Sequence, residues 1–326
     1  MPHLTLDFHG TSVRLTADSG GTLDELRRDF SAFGSGEDSA PRLRLELCAK
    51  PCAPPPGASS WRWRDFSVRA IPGGRLVRYD DDAWARYHYG ERAGVVHALI
   101  PERLRELAYL AVLSRAGEEL DRRGLHRVHA LGVSAPAGAG LVLLPSGGGK
   151  STLALELLRR RSLAVLSDEC PLVAADGVVR PFLLRLALRA GTDLSGLPPG
   201  SLRAFRRRGF EEKQLLDAAA LGATGAAPAP LRWLLVGSPS HGAPRLEPLT
   251  RAGALAALTE ALVIGIGLPQ MAEYMARADL GLGAIAFSRL RTACALVSRA
   301  RLARFRLGSL GPAASAQFLE SVMAAA

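Results

Sequence analysis

The sequence contains no asparagine, and only three of its 41 basic residues are lysines, namely Lys50, Lys150 and Lys213. Without asparagine there is no N-glycosylation sequon. The catalytic loop of eukaryotic protein kinases, in which an asparagine holds metal, is also excluded. Four cysteines are too few for a disulfide framework in a chain of 326 residues. No stretch reaches the roughly 18 uncharged apolar residues of a membrane span, and the N-terminus shows no secretory signal. We therefore expect a cytoplasmic globular protein with no membrane association.

The composition permits a large core and points to an acidic partner. Apolar residues make up 48% of the chain and charged residues 22%, and the net charge is +10. This charge suits a nucleotide, an acidic peptide or a nucleic acid, although arginines scattered over solvated faces explain it equally well. Stacking of nucleic-acid bases on the tryptophans of residues 61–66 is conceivable. We favour instead a strand with a tryptophan core face, and we do not expect nucleic-acid binding.

The pattern of apolar residues predicts an α/β protein of two domains. Residues 1–95 have the pattern of a small α/β module, and residues 96–326 that of a larger domain with alternating strands and helices. Within 1–95 we predict strands and one helix, and after them a long helix. Further along, residues 191–230 are rich in Gly, Pro and Ala and indicate a loop or insertion. The predicted strands are 3–7, 12–15, 42–48, 61–68 and 76–79, and the predicted helices are 23–33, 101–123, 251–263 and 283–303.

One segment carries the clearest chemical signal. An apolar strand, 141–144, leads into Pro145 and the run Ser146, Gly147, Gly148, Gly149, Lys150, Ser151 and Thr152, and an apolar helix pattern follows. Glycines allow successive backbone N–H groups to turn inward, and a helix N-terminus adds its dipole toward a phosphate. Lys150 can then reach the β- and γ-phosphates, and the Ser151 hydroxyl can bind Mg²⁺. A glycine-rich turn with an incidental lysine is the alternative. Leu144 stands where phosphate loops usually begin with glycine.

A second strand, residues 163–166, ends in the acidic pair Asp168 and Glu169. Ligands bind at the carboxyl ends of strands in open α/β sheets. We predict that Asp168 accepts the proton of an attacking hydroxyl, and that Glu169 holds metal or positions this base. A solvated strand end is the alternative. Only 18 positions separate Lys150 from Asp168, which excludes transporter-type ATPases, whose acidic strand end lies far downstream.

The run HALGVSAPAGAGLVLLPSGGGKSTLALELLRRRSLAVLSDECPLV, residues 129–173, resembles the C-terminal domain of the HPr serine kinase/phosphorylase family. That family includes relatives with a phosphoenolpyruvate-carboxykinase-like fold. The sequence is most similar to the shorter HPr-kinase-related kinases that accompany peptide-modification genes, including those acting on lasso-peptide precursors. Residues 180–189 are similar to the strand that follows in this group. The resemblance extends more weakly over residues 95–310.

This resemblance implies a fold, an activity and a set of residues. It implies a P-loop kinase domain that uses ATP and Mg²⁺ to phosphorylate a serine or threonine of a peptide or small protein. Lys150, Ser151, Asp168 and Glu169 match the family's nucleotide, metal and hydroxyl-activating residues. His129 matches a family histidine, for which a catalytic and a structural role are both open. The family also assembles into oligomers, which leaves a homo-oligomer open. The chain has Asp-Glu where bifunctional members have Asp-Asp and lacks their glycine-rich signature, so we expect a kinase without the reverse phosphorolysis.

Other candidates have plainer explanations. Cys48 and Cys52 have no second ligand pair nearby, so free thiols are expected rather than zinc. Residues 80–82 are three aspartates that we interpret as a solvated turn. Residues 206–208 are three arginines which, with Lys213, form either a lid over the γ-phosphate or a solvated basic loop. At the level of the whole protein, the alternative to a kinase is a nucleotide-binding scaffold or regulator of a modification system, without phosphoryl transfer.

Overall fold

A computed structural model describes residues 1–34, 40–54, 56, 61–62, 66–79, 82–205, 212–222, 226–266, 268 and 280–325. The chain divides into two compact units. The first comprises Met1–Leu120 with Pro269–Leu282, and the second comprises Asp121–Leu268 with Gly283–Ala326. The sequence-based boundary at residue 95 lies earlier in the chain than this division.

The first unit is built on an eight-stranded sheet of order β1-β2-β3-β8-β7-β6-β5-β4. In β3 the leucines are buried while Arg44 and Glu46 are exposed, which is the alternation that predicted the strand. The described residues of this unit form α1 (Gly20–Asp29) and most of α2 (Pro101–Arg122), and a 3₁₀ turn follows α1 at Ser31–Phe33. The strands are β1 (His3–Asp7), β2 (Ser12–Ala17), β3 (Leu43–Cys48), β4 (Trp61–Arg62), β5 (Ser67–Ile71), β6 (Gly74–Arg78), β7 (Ala83–His88) and β8 (Ala93–Ala98).

The second unit contains a nine-stranded mixed sheet and a separate three-stranded sheet. The strands of the large sheet are β9 (His126–Arg127), β10 (Leu131–Ala135), β11 (Gly138–Leu143), β12 (Ala164–Ser167), β13 (Leu172–Val173), β14 (Val178–Arg180), β18 (Ala229–Ser238), β19 (Arg245–Pro248) and β20 (Arg301–Arg306). The small sheet consists of β15 (Leu186–Arg189), β16 (Leu202–Phe205) and β17 (Lys213–Leu216). The helices described in this unit are α3 (Lys150–Arg160), α4 (Arg251–Leu258) with a π-helical continuation (Thr259–Ile264), most of α5 (Leu280–Arg299), α6 (Pro312–Ala324) and a 3₁₀ turn (Ala218–Leu221).

The centre of the large sheet determines where the loop after β11 lies. β11 and β18 are parallel, as are β18 and β20, whereas β10 pairs antiparallel with both β11 and β12. β11 and β12 therefore run in the same direction on either side of β10, and their carboxyl ends meet at one edge. Alternate residues of β11 enter two cores: Val142 packs with residues of α3 and α6, and Leu141 with residues of α4 and α5. Helices thus cover both faces of the sheet.

The α/β class is confirmed, but three details of the prediction are wrong. Between α3 and α4 the described chain has eight strands and no α-helix, rather than alternating strands and helices. The predicted loop 191–230 contains β16 and β17, four-residue strands too short for a clear apolar period. The helix predicted over 283–303 ends at Arg299, and β20 begins at Arg301, because its buried Ala303 and Phe305 alternate with exposed residues. No helix among the described residues is long and apolar enough to cross a membrane.

A buried ionic cluster joins α2, β9 and α5 in the second unit. Arg289 is fully buried and donates two hydrogen bonds to Asp121, one of them from Nε at 3.1 Å. The Asp121 carboxylate also lies 2.8 Å from His126 Nδ1, and His126 Nε2 lies 2.9 Å from the Ser288 hydroxyl. Burial raises the pKa of Asp121, but Arg289 and His126 outweigh it and lower that pKa to about 2. Asp121 therefore stays ionised in the core.

Candidate functional site

The segment after β11 forms the strand, loop and helix arrangement that the glycine run predicted. The chain leaves β11 at Leu143, turns through Pro145–Gly148, where the Gly148 N–H donates to the Pro145 carbonyl at 2.9 Å, and begins α3 at Lys150. Gly147 and Gly149 have φ values of +77° and +97°, which favour residues without a β-carbon. The loop and the first turn of α3 therefore form a helix N-terminus of the kind that binds phosphate.

Leu144 replaces the usual first glycine of the loop without backbone strain. Its φ is not among the positive values of the described non-glycine residues, so no glycine is needed at this position. The Leu144 side chain is buried and packs against Gly237 of β18. A β-carbon on Gly237 would lie only 2.6 Å from Leu144 Cδ2. The close approach that requires a glycine therefore occurs on the neighbouring strand rather than at the start of the loop.

Lys150 is held inside the loop. Its side chain is buried, and Nζ donates to the carbonyl oxygens of Leu144 at 2.6 Å and Pro145 at 3.1 Å. Burial lowers the pKa of Lys150 to about 8, and the negative charges of Glu169 and Asp168 oppose that change. These carbonyls thus keep the ammonium beside the backbone of the glycine loop.

The acidic pair lies directly beside the start of α3. The Ser167 hydroxyl at the end of β12 accepts hydrogen bonds from the backbone N–H groups of Glu169 and Cys170, at 3.3 and 2.9 Å, which shapes the turn. Asp168 is 4% exposed, and its Oδ2 accepts a hydrogen bond from the Ser151 hydroxyl at 2.9 Å. Ser151 and Asp168, which are 17 positions apart in the chain, therefore meet at one edge of the sheet. The alternative of a solvated strand end is wrong for Asp168.

Both carboxyl groups have raised pKa values. Burial, followed by the charge of Glu169, raises the pKa of Asp168 to about 7, although the Ser151 hydrogen bond and Lys150 oppose this. Burial also raises the pKa of Glu169. Four cations act against that rise, namely Lys150, Lys213, Arg185 and Arg127. The cleft therefore holds two close carboxyl groups, of which Asp168 exchanges its proton near neutral pH.

His129 lies in the same cleft as a neutral imidazole. Its side chain is buried, and Nδ1 lies 2.8 Å from the carbonyl oxygen of Ile266. Because a carbonyl only accepts, Nδ1 carries the proton and Nε2 keeps a lone pair. Burial and the charge of Lys150 lower the pKa of His129 to about 4. At neutral pH the imidazole therefore offers an acceptor rather than a positive charge.

One open cleft brings the predicted residues together. Among the described residues, its lining includes every predicted site residue except Gly148. The small sheet contributes three residues that the sequence analysis did not assign, Ala187, Leu188 and Arg189. Arg189 is one of 38 arginines and had no sequence signal of its own. Lys213, part of the lid hypothesis, lines the cleft as well, whereas residues 206–208 lie outside the described residues. The full lining is His129, Ser146, Gly147, Gly149, Lys150, Ser151, Thr152, Asp168, Glu169, Ala187, Leu188, Arg189 and Lys213.

The oxygen donors of the cleft fit Mg²⁺. Mg²⁺ is typically bound by one or two carboxylates together with phosphate oxygens and water. The Ser151 hydroxyl and the carboxyl groups of Asp168 and Glu169 supply such a set, with Ser151 and Asp168 in direct contact. Within the described chain, no group of three His, Cys, Asp or Glu side chains could hold a metal ion. A metal in this cleft would therefore depend on phosphate oxygens for much of its coordination.

Those of the remaining candidates that the structure describes do not form a second site. The four cysteines are free thiols: Cys48 is half-buried, Cys52 and Cys294 are exposed, and Cys170 is buried. Trp61 packs against Phe66 with ring centroids 5.8 Å apart, as expected for the core face of a strand. Residues 63–65 and 80–81 lie outside the part of the chain that the structure describes.

Comparison of the chain with protein-family models and with curated proteins finds no match.

Proposed function

We propose that the protein is a kinase of the HPr-kinase-related type, which transfers the γ-phosphate of ATP to a serine or threonine hydroxyl of a peptide or small protein. The observation that supports this most directly is the hydrogen bond between Ser151 and Asp168. It joins a buried carboxyl pair to the phosphate loop, and phosphoryl transfer requires anion binding and a proton acceptor in one place.

In this proposal the loop binds the phosphates through its backbone. The N–H groups from Gly147 to Ser151 and the dipole of α3 receive the anion. Without nucleotide, Lys150 bonds to the neutral carbonyl oxygens of Leu144 and Pro145. When nucleotide binds, its ammonium group moves to the phosphate oxygens, because these carry more negative charge. Ser151 and Glu169 would hold Mg²⁺, which neutralises charge on the phosphates when bound.

Asp168 and His129 handle the acceptor hydroxyl. With a pKa of about 7, Asp168 is partly ionised at neutral pH and can take the hydroxyl proton, since a base works best when its pKa is near the working pH. The neutral His129 offers Nε2 as a second acceptor that can orient the same hydroxyl. Residues 1–95 would recognise the rest of the acceptor, and the reaction would take place in the cytoplasm.

Two measurements test this proposal. Calorimetry of Mg·ATP binding should show affinity for the wild type and a loss of about ten-fold or more in Lys150→Ala, because a charge-assisted hydrogen bond is removed. Lys50→Ala is the matched control, since this lysine is an exposed residue of the first unit. Absence of binding to the wild type would refute the phosphate-loop assignment.

The second measurement is transfer of labelled γ-phosphate to a random peptide library with one central serine or threonine. We expect transfer by the wild type, none by Asp168→Asn, and full transfer by Glu212→Gln, which changes an exposed carboxylate of the same unit. Binding without transfer would instead support the nucleotide-binding scaffold. Equal turnover by wild type and Asp168→Asn would refute the role of Asp168.

A further inference from the structure

Two basic residues face each other across the small sheet. Arg189 of β15 and Lys213 of β17 are directly opposite partners in an antiparallel pair, so their side chains share a face of the sheet. Both side chains line the cleft. Like charges at such positions destabilise a sheet. The stability of the sheet therefore does not explain why both positions are basic.

Neither basic group is neutralised by an ion pair with a residue that the structure describes. Among the described residues, the side chains of Arg189 and Lys213 make no hydrogen bond and no ion pair with another side chain. Lys213 acts on Glu169 through its charge alone, lowering the pKa of that carboxyl group against the effect of burial. The pair thus presents two cationic groups, each with several N–H donors, to the interior of the cleft.

The Arg189 guanidinium lies against the phosphate loop itself. A β-carbon on Gly147 would be 2.9 Å from Arg189 Nη2 and 3.2 Å from Nη1. Gly147 is the first glycine of the loop, whereas Lys150 lies at the start of α3 and bonds to the carbonyls behind the loop. The loop therefore has cationic groups on two sides. Within the described chain, the side chains of Arg189 and Lys213 on the small-sheet side bond to no protein acceptor, whereas Lys150 bonds to two carbonyl oxygens.

We propose that Arg189 and Lys213 form a clamp for the terminal phosphate of a nucleoside triphosphate, by which the cleft distinguishes a triphosphate from a diphosphate. This inference rests on the proposed function, because it assumes that the loop binds a nucleotide. The loop N–H groups and Lys150 suffice for the inner phosphates. An additional phosphate would meet the clamp, and its negative charge would relieve the repulsion between the two basic residues.

The test compares the binding of Mg·ADP with that of a non-hydrolysable Mg·ATP analogue by calorimetry. For Arg189→Gln and Lys213→Gln we expect the analogue to bind about ten-fold more weakly or worse, since each variant removes charge-assisted hydrogen bonds. Affinity for Mg·ADP should change less than about two-fold. Arg304→Gln is the matched control, because it removes the same charge from an exposed position of β20 that does not line the cleft.

A second measurement separates the clamp from damage to the fold. Without ligand, both clamp variants should unfold at the same temperature as the wild type or at a higher one, because the repulsion is removed. Equal weakening of both nucleotides, or no weakening of either, would overturn the clamp while leaving the phosphate loop intact. A wild type that binds neither nucleotide would overturn both proposals.

Discussion

The environment of Asp168 predicts that the contribution of this residue to the stability of the protein falls between pH 5 and pH 7. The folded state raises the pKa of this carboxyl group from 3.8 to about 7, chiefly by burial and then by the charge of Glu169. A folded protein that binds the proton more tightly than the unfolded chain loses stability as the pH rises through this range. The stabilising contribution is fully present below about pH 4 and is lost by about pH 7.

The size of the effect follows from the two pKa values. Each unit of pKa corresponds to about 1.4 kcal/mol, so ionising Asp168 in the folded state costs about 4 kcal/mol. Roughly 2 kcal/mol of that penalty develops between pH 5 and pH 7. Lys150, with a pKa of about 8, titrates mostly above pH 7. The contribution of Lys150 to the free energy of unfolding therefore changes little between pH 5 and pH 7.

Urea unfolding of the wild type and Asp168→Asn at pH 5, 6 and 7 measures the effect. The asparagine does not ionise, so the stability of the variant relative to the wild type should rise by about 2 kcal/mol from pH 5 to pH 7. Titrating groups that do not interact with Asp168 contribute equally in both proteins and cancel in the difference. Glu212→Gln, at an exposed position, should show no such trend. A pH-independent difference for Asp168→Asn would refute the buried-carboxyl argument.

Three further predictions concern packing and the loop. Gly147→Ala should weaken Mg·ATP binding measured by calorimetry, because its φ of +77° disfavours a side chain, and unchanged affinity would contradict this. Gly237→Ala should destabilise the protein by about 1–3 kcal/mol through overpacking against Leu144, and Leu144→Ala by about 2–5 kcal/mol. The double variant should lose less than the sum in urea unfolding, and strict additivity would argue against the contact. Arg289→Met should cost about 3–5 kcal/mol by removing the guanidinium from the buried carboxylate of Asp121, which keeps its contact with His126, so a loss below 1 kcal/mol would show that the pair is unimportant.

Local sequence was sufficient for the elements of the site. The strand before the loop, the positive-φ glycines and the helix that begins at Lys150 each depend on residues within a few positions of one another. The apolar run 163–166 likewise predicted a strand that ends just before Asp168, only 18 positions after Lys150. Such features are predictable because backbone preference and apolar period act over short distances.

Tertiary structure alone decided the environment of those elements. The burial that raises the pKa of Asp168, and the carbonyl of Ile266 that fixes the His129 tautomer, come from segments distant in the chain. The contact of Leu144 with Gly237 could not be predicted from the sequence either, because it depends on which strand lies beside β11. Arg189 and Lys213 belong to short strands that carry little periodic signal, and only the pairing of β15 with β17 brings them together. The pairing of distant strands and the burial of side chains depend on the whole fold, so no short stretch of sequence specifies them.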